Sequence, residues 1–328
     1  MSLKIIDLFC GAGGLSTGFE MAGFETVLGI EHIEIFGKTF KLNHPDAALI
    51  CRDIKEVTVE DIRKTIGDDH ISVICGGPPC QGFSGAGRRD SSDPRNSLFM
   101  EFVRIVGGIR PDYFVMENVP GILNMMTAKE EKVTDIISSE FEKIGYAMKF
   151  RKLVAADYGV PQKRRRVIFI GSREKPLIYP QPTHSEKPYL TLEGKKILEW
   201  VGTGTVLLPK EKTPKNYFHG PKMIEGFIRR KANNRKKGKG FGWQIINPEK
   251  PCYTISARYW KDGSDALVKY SDTEIRMLTE REAASIQSFP EDYEFCGNKK
   301  EKYMQIGNAV PCLMAKAIAE TLRSSLTK

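Results

Sequence analysis

Between Lys4 and Gly171 five short apolar runs recur, separated by longer stretches of helical or polar character. They are KIIDLF (4–9), TVLGIE (26–31), ISVICGG (71–77), YFVMEN (113–118) and RVIFIG (166–171). Runs this short and this apolar read as buried strands. Between them, in EEKVTDIISSEFEKIG, Val133, Ile136, Ile137, Phe141 and Ile144 return at helical spacing, and Gly145 is a natural stop. Strands alternating with helices predict an α/β fold with a mostly parallel sheet covered on both faces. In such sheets ligands sit at the carboxyl ends of the strands. The residues just after each run are therefore the ones to read for chemistry.

The pattern changes near Lys175. KPLIYPQPTHSEKP is proline-rich, and the next 95 or so residues are basic and weakly periodic. A second, smaller domain is expected there. Helical pattern returns over SDTEIRMLTEREAASIQSF (271–289) and again over VPCLMAKAIAETLRSSL, where Pro311 suits a helix start. A chain of 328 residues can bury a large core in one domain and carry a small one beside it. No apolar run approaches the length of a membrane span, and the N-terminus enters a strand pattern too soon to be a signal peptide. The seven cysteines are scattered, without a CxxC pair or a histidine cluster, which argues against a disulfide framework or a metal site and for the cytoplasm. The net charge is +9, and RRKANNRKKGK (229–239) holds seven cations and no acid. That run is either a solvated basic loop or a nucleic-acid contact.

Each strand end carries something. After the first run, FCGAGGLSTGF supplies Gly11, Gly13 and Gly14, where backbone can approach a ligand at a helix start. The dinucleotide pattern would need glycine at 16, where Ser16 stands. Glu31 ends the second run and can take both hydroxyls of a ribose, and Asp53 follows the next short apolar stretch, where it could meet an adenine amino group. An adenosine-containing ligand is the reading. After the third run comes GGPPCQGFSGAGRRD: Pro78 and Pro79 are expected to stiffen the chain ahead of Cys80, and a glycine-containing stretch with Arg88, Arg89 and Arg95 follows, expected to be a loop that can close over a substrate. A thiol presented in this way suits a nucleophile, whereas Cys75 and Cys312 read as inert core cysteines. Glu117 is a carboxylate at the end of an apolar run, either a proton donor in a closed pocket or one half of a structural pair with an arginine. In QKRRRVIFIG an extended chain would point Arg164 and Arg166 to one side and Arg165 to the other.

These stretches resemble, in order, the motifs of the DNA (cytosine-5)-methyltransferases, particularly the compact enzymes of restriction–modification systems. DLFCGAGG resembles the first S-adenosylmethionine motif, with Phe9 against the adenine; GGPPCQGFS the nucleophile motif; ENV the motif whose glutamate contacts cytosine; QKRRRVIFIG the motif of alternate arginines; RMLTEREAASIQSFP and QIGNAVP the last two. The resemblance implies a Rossmann-like S-adenosylmethionine-dependent domain over 1–176 plus 273–328, and a target-recognition domain over 177–272 facing it across a DNA cleft. It implies Cys80, Glu117, Arg164 and Arg166 as catalytic, with Arg164 on the base carbonyl and orienting either Glu117 or the cysteine-bound base. Phe9, Gly11, Gly13, Gly14, Glu31, Asp53, Ile54, Pro79, Leu98, Asn308 and Ala309 would bind the cofactor. Ser84, Arg88, Arg95, Arg229, Arg230, Arg235, Lys236 and Lys237 would contact double-stranded DNA. Trp243 and Trp260 are expected to pack rather than to read bases. No metal is implied. The expected assembly is a monomer, with any cognate restriction endonuclease acting separately.

The alternative is a tRNA cytosine-5 methyltransferase on the same framework. Such relatives carry a Cys-Phe-Thr signature, where this chain offers Cys-Tyr-Thr in PCYTISARY. A catalytically silent DNA-binding relative would lack the nucleophile or the glutamate, and a nicotinamide-dependent oxidoreductase would not explain the Pro-Pro-Cys stem.

Overall fold

The computed structural model describes residues 2–79, 97–127, 130–236, 238 and 243–327. The chain divides into two compact units: residues 1–153, 165–181 and 314–328 form the first, and 154–164 with 182–313 the second.

The first unit holds a seven-stranded sheet in the order β3-β2-β1-β4-β5-β7-β6. Its strands are β1 (Leu3–Leu8), β2 (Phe24–Ile30), β3 (Ala48–Ile50), β4 (Val73–Gly76), β5 (Tyr113–Asn118), β6 (Ala147–Val154) and β7 (Arg165–Ser172). The pairings β2–β3, β1–β2, β1–β4 and β4–β5 are parallel, and β5–β7 is antiparallel. All five apolar runs form strands, because their side chains are buried on both faces: Ile6, Leu8, Ile74, Phe114, Met116, Val167 and Phe169 of one face belong to one core with Phe102 and Phe141 from the helices, and Ile5, Val73, Val115, Ile168 and Ile170 of the other face are also buried. The strand order reverses between β1 and β4, so the crevice at their carboxyl ends is the expected ligand position.

The helices α1 (Gly14–Met21), α2 (Glu34–Asn43), α3 (Val59–Ile66), α4 (Ser97–Ile109) and α5 (Val133–Lys143) lie between these strands in the chain. Gly145 does end the α5 segment, at φ 85°, a conformation only glycine adopts without strain. β6 is a strand that periodicity does not announce. Most of its residues are exposed and three are cationic, as suits the edge of a sheet.

The second unit has its own core, built on Phe227, Ile255, Tyr259, Leu267, Ile275, Leu278, Ile286, Tyr303 and Ile306. It contains the small sheet β8 (His184–Ser185), β9 (Tyr189–Leu190) and β10 (Lys196–Glu199), the helix α6 (Pro221–Lys236), and the antiparallel pair β11 (Leu267–Lys269) and β12 (Ile275–Met277). The helices α7 (Glu280–Ile286) and α8 (Lys299–Asn308) follow, and α9 (Cys312–Leu326) runs from this unit into the first.

Two readings change here. Residues 271–289 are not one helix: β12 comes first, and α7 starts at a capping box in which Thr279 and Glu282 satisfy each other's backbone N–H groups. The basic run begins inside α6 rather than in a loop, because Ile224 and Phe227, three apart, bury one face of that helix. The compact units also divide the chain differently from the motif boundaries at 177 and 273. Apolar side chains of 275–312, among them Ile275, Leu278, Ile286, Ile306 and Cys312, pack into the second unit's core.

Candidate active site

At the end of β1 the chain turns sharply. Phe9 has φ 61°, a left-handed conformation disfavoured for an aromatic residue, and Gly11 and Gly13 follow at 55° and 84°. Gly13 is the N-cap of α1 and has no side chain to cap it. Asp7 of β1 supplies the cap instead: its carboxylate accepts from Ser16 N (3.3 Å) and Ser16 Oγ (2.7 Å). Asp7 is buried, and burial pushes its carboxyl up to about 7. This acid was not among the residues singled out from sequence. The signal was present as a carboxylate inside an apolar run.

Glu31, at the end of β2, is buried. One carboxylate oxygen accepts from Gly11 N (3.0 Å), and the other from His32 N (2.9 Å) and Ile33 N (2.8 Å), with His32 Nδ1 at 3.1 Å. Its charge therefore fixes the glycine turn as well as offering acceptor capacity for a ligand. Asp53 caps the next 3₁₀ turn through Lys55 N and remains exposed, with Ile54 buried behind it. Leu98 packs, partly buried, on the large core. A glycine turn with backbone N–H groups, a buried acid at the neighbouring strand end and an exposed aspartate beyond it fit an adenosine-containing ligand.

At the ends of β4 and β5 the Pro-Pro stem meets the carboxylate. Asn118 Nδ2 donates to the Pro78 carbonyl (3.0 Å), and Asn118 Oδ1 accepts from Val119 N (2.9 Å). This buried asparagine ties the stem to β5. Gly77 lies against it: a Cβ there would stand 2.9 Å from Glu117 Oε2 and push that carboxylate aside. Glu117 Oε1 lies 2.5 Å from Arg166 Nε, and both side chains are 12% exposed. The Nε–H does not point along this contact, so it is an ion pair rather than a linear hydrogen bond. Among the described residues no donor bonds the second oxygen of Glu117. Cys80, Ser84, Arg88 and Arg95 lie outside the described residues, as does Lys237; Pro79, the last described residue before Cys80, is exposed.

Arg164 and Arg166 have different surroundings. Arg165 is exposed between them, as the extended reading requires. Arg166 is the guanidinium on Glu117, a place expected for Arg164. Arg164 is 1% exposed and donates to the carbonyls of Ile255 (3.1 Å), Gly307 (2.8 Å) and Asn308 (3.4 Å), all within the second unit. The side chain of Asn308 is exposed at the end of α8, and Ala309 follows half-buried.

On α6, Arg229, Arg230, Arg235 and Lys236 are exposed. Arg230 is paired with Asp262 at 3.0 Å. Trp243 stacks on Phe227 (5.9 Å between ring centroids, 9° between planes), and Trp260 is partly buried against the same core. Both tryptophans pack. Four cysteines, Cys10, Cys75, Cys252 and Cys312, are buried, and burial pushes the Cys10 and Cys75 thiols well up, so neither supplies a thiolate. Cys51 is exposed.

Residues 3–324 match the family model described as C-5 cytosine-specific DNA methylase. The chain is 36% identical to the Type II methyltransferase M.DdeI of Desulfomicrobium norvegicum, over 98% of this chain and 88% of that protein. It is 37% identical to the Type II methyltransferase M1.HphI of Haemophilus parahaemolyticus, over 98% and 87%. The structure of the Entamoeba histolytica methyltransferase EhMeth superposes with a TM-score of 0.75 over the full length of both chains, at 18% identity, a likeness of fold alone. With a glycine turn and acid at one strand end and a glutamate–arginine pair beside a Pro-Pro stem at the next, the chain belongs to the C-5 cytosine-specific DNA methylase family and is a DNA (cytosine-5)-methyltransferase on a Rossmann-like fold.

Proposed function

We propose that the protein methylates carbon 5 of a cytosine flipped out of double-stranded DNA, within one short sequence, as the modification enzyme of a Type II restriction–modification system. The observation that carries this reading is the Glu117–Arg166 pair set against Gly77, at the foot of the stem that leads to Cys80. The names of the relatives, all Type II methyltransferases, support the biological setting and favour DNA over tRNA.

When bound, S-adenosylmethionine would supply an electrophilic methyl group, the sulfonium–methyl bond breaking to leave S-adenosylhomocysteine. Its holders are Phe9, Gly11, Gly13, Gly14, Glu31, Asp53, Ile54, Pro79 and Leu98, with Asn308 and Ala309 from the end of α8. Carbon 5 of cytosine is a poor nucleophile while the ring is aromatic. The Cys80 thiolate adds to carbon 6 and breaks the aromaticity, and carbon 5, now enamine-like, takes the methyl. A base then removes the carbon 5 proton, the carbon 5–6 double bond re-forms and the thiolate leaves. Glu117 holds the N3 edge and exocyclic amine, and Arg166 fixes its carboxylate and stabilises charge in the ring. None of these atoms is reachable within a duplex, so the base must leave the stack.

Ser84, Arg88 and Arg95 contact the DNA backbone from the loop after Cys80. Arg229, Arg230, Arg235, Lys236 and Lys237 give salt-dependent affinity. Functionally, 1–176 plus 273–328 carry cofactor and chemistry, and 177–272 target recognition; the compact units are a separate, physical division. The protein acts as a monomer in the cytoplasm, with any cognate endonuclease separate. Among the described residues no helix is long and apolar enough to cross a membrane.

Methyl transfer from labelled S-adenosylmethionine to unmethylated plasmid DNA and to bulk tRNA tests this, with wild type and Cys80→Ala. The expected result is label on DNA cytosines in one motif, mapped by conversion sequencing and absent in the variant. Label on tRNA alone would overturn it.

A further inference from the structure

Two buried side chains just before β7, within the second unit, tie two of its other segments together from one strand face. Residues 161–164 run beside 252–255: Lys163 N donates to Cys252 O (2.8 Å), and Cys252 N to Pro161 O (3.0 Å). Two residues apart, Gln162 and Arg164 share a face. Gln162 Oε1 accepts from Ile255 N (3.1 Å), and Arg164 donates to Ile255 O (3.1 Å). Both polar backbone groups of Ile255 are thus held by side chains from one short segment.

The same two side chains reach α8. Gln162 Nε2 donates to Gln287 Oε1 (3.1 Å), and Gln287 Nε2 donates to Ile306 O (2.8 Å). Arg164 takes the next two carbonyls, Gly307 and Asn308. The end of α8 is pressed against 256–257 so closely that a Cβ on Gly307 would stand 2.4 Å from the Ser256 carbonyl. Gln162, Arg164 and Gln287 are all at or near zero exposure. Buried polar groups in such a network are costly to leave unpaired, and apart from Arg164 Nε the side-chain polar atoms of Gln162, Arg164 and Gln287 named here have partners, which favours this arrangement over others.

We propose that Gln162 and Arg164 are positioning residues that clip residues 254–258, part of the proposed target-recognition stretch 177–272, to the end of α8, so that Asn308 and this part of the recognition stretch are set together. Arg164 acts through these carbonyls and does not touch the base. The proposal rests on the function proposed above, in which Asn308 serves the cofactor and the second unit serves DNA.

The test uses the full chain with Gln162→Ala, Arg164→Lys, the double variant and Gly307→Ala, which pries α8 from 256–257 while leaving both clip side chains intact. S-adenosylmethionine affinity without DNA, affinity for plasmid-derived duplex without cofactor, and the single-turnover rate at saturation are read separately. Each single variant is expected to weaken both affinities together, by roughly 10-fold, with the saturated rate within about threefold of wild type. The double variant should be little worse than the worse single, because the two residues act as a unit. Loss of the saturated rate in Arg164→Lys with both affinities unchanged would place Arg164 on the base and overturn the clip. A defect confined to one ligand, or additive defects, would overturn it as well. Should Gln162→Ala fail to fold, the comparison of Gly307→Ala with Arg164→Lys decides alone. Wild-type protein that transfers no methyl to DNA would instead refute the underlying function, a separate outcome.

Discussion

The molecule contains two arginine–glutamate pairs of opposite design. Arg276 and Glu282 are 0% and 1% exposed and meet through two bonds of 2.8 Å. Glu282 also accepts from Thr279 N, Thr279 Oγ1 and Leu208 N, and Arg276 reaches the Leu208 and Met277 carbonyls and the Tyr270 hydroxyl. Every polar atom of that pair is spent on the fold. Glu117 and Arg166 are 12% exposed, meet at one oxygen, and the other oxygen faces the Gly77 backbone. A buried pair with complete partners specifies structure, whereas a pair with spare acceptor capacity beside a strand end is equipped for a ligand.

The largest expected effect breaks the second kind of pair without touching the fold. Glu117→Gln keeps the shape but not the charge. Methyl transfer should fall by about 10²–10⁴-fold, measured as single-turnover rate, while the urea midpoint stays at the wild-type value. A large stability loss with the rate preserved would make Glu117 structural. Glu282→Gln should do the reverse: stability drops by about 3–5 kcal/mol in denaturant titration, because Arg276 is left buried and uncompensated. Residual folded protein keeps its rate per active site.

Asp7 is intermediate, a buried acid with one strong partner, Ser16, the weak Cys75 thiol beside it, and no well-formed hydrogen bond to Oδ1. Its folded-state value, about 7, lies above the ordinary carboxyl range, so the fold holds a proton that the unfolded chain releases. Stability from this group is therefore lost as pH rises from about 4 to about 7. Asp7→Asn removes the titration while keeping an acceptor for Ser16. Relative to wild type it should gain stability with rising pH across that window, by up to about 4 kcal/mol, and stay level above it. Parallel wild-type and variant curves from pH 5 to 8 would show that Asp7 ionises normally.

The same contrast explains what the sequence could and could not disclose. The ends of β1, β4 and β5 were legible because their strands are apolar on both faces, so the first polar residue after each stands out; Glu117 was found in this way. β12 was hidden because a buried Arg276 interrupts its apolar pattern, and only the partner six residues on makes that burial tolerable. Gln162 and Gln287 look like ordinary surface residues in sequence, since what makes them central is a network closed across more than a hundred residues. Which arginine meets Glu117 was also beyond the sequence. Side-chain alternation put Arg164 and Arg166 on one face but could not say that the two terminal nitrogens of Arg164 donate to the carbonyls of Ile255, Gly307 and Asn308.

The weakest expected effects concern α6, and they test whether pairing within the fold silences a charge for DNA. Phe227, fully buried and stacked on Trp243, anchors the helix so that Arg229 and Arg235 face solvent. Each cation that neutralises a phosphate contributes close to one unit to the slope of log affinity against log salt. Arg229→Gln and Arg235→Gln should each make that slope shallower by about one unit, with unchanged sequence preference, in binding titrations from low to moderate salt. Arg230 already has Asp262 at 3.0 Å, so Arg230→Gln should change the slope less than either neighbour. An equal change at Arg230 would mean that DNA displaces Asp262, and that this half-exposed pair belongs with Glu117–Arg166 among those kept open for a ligand.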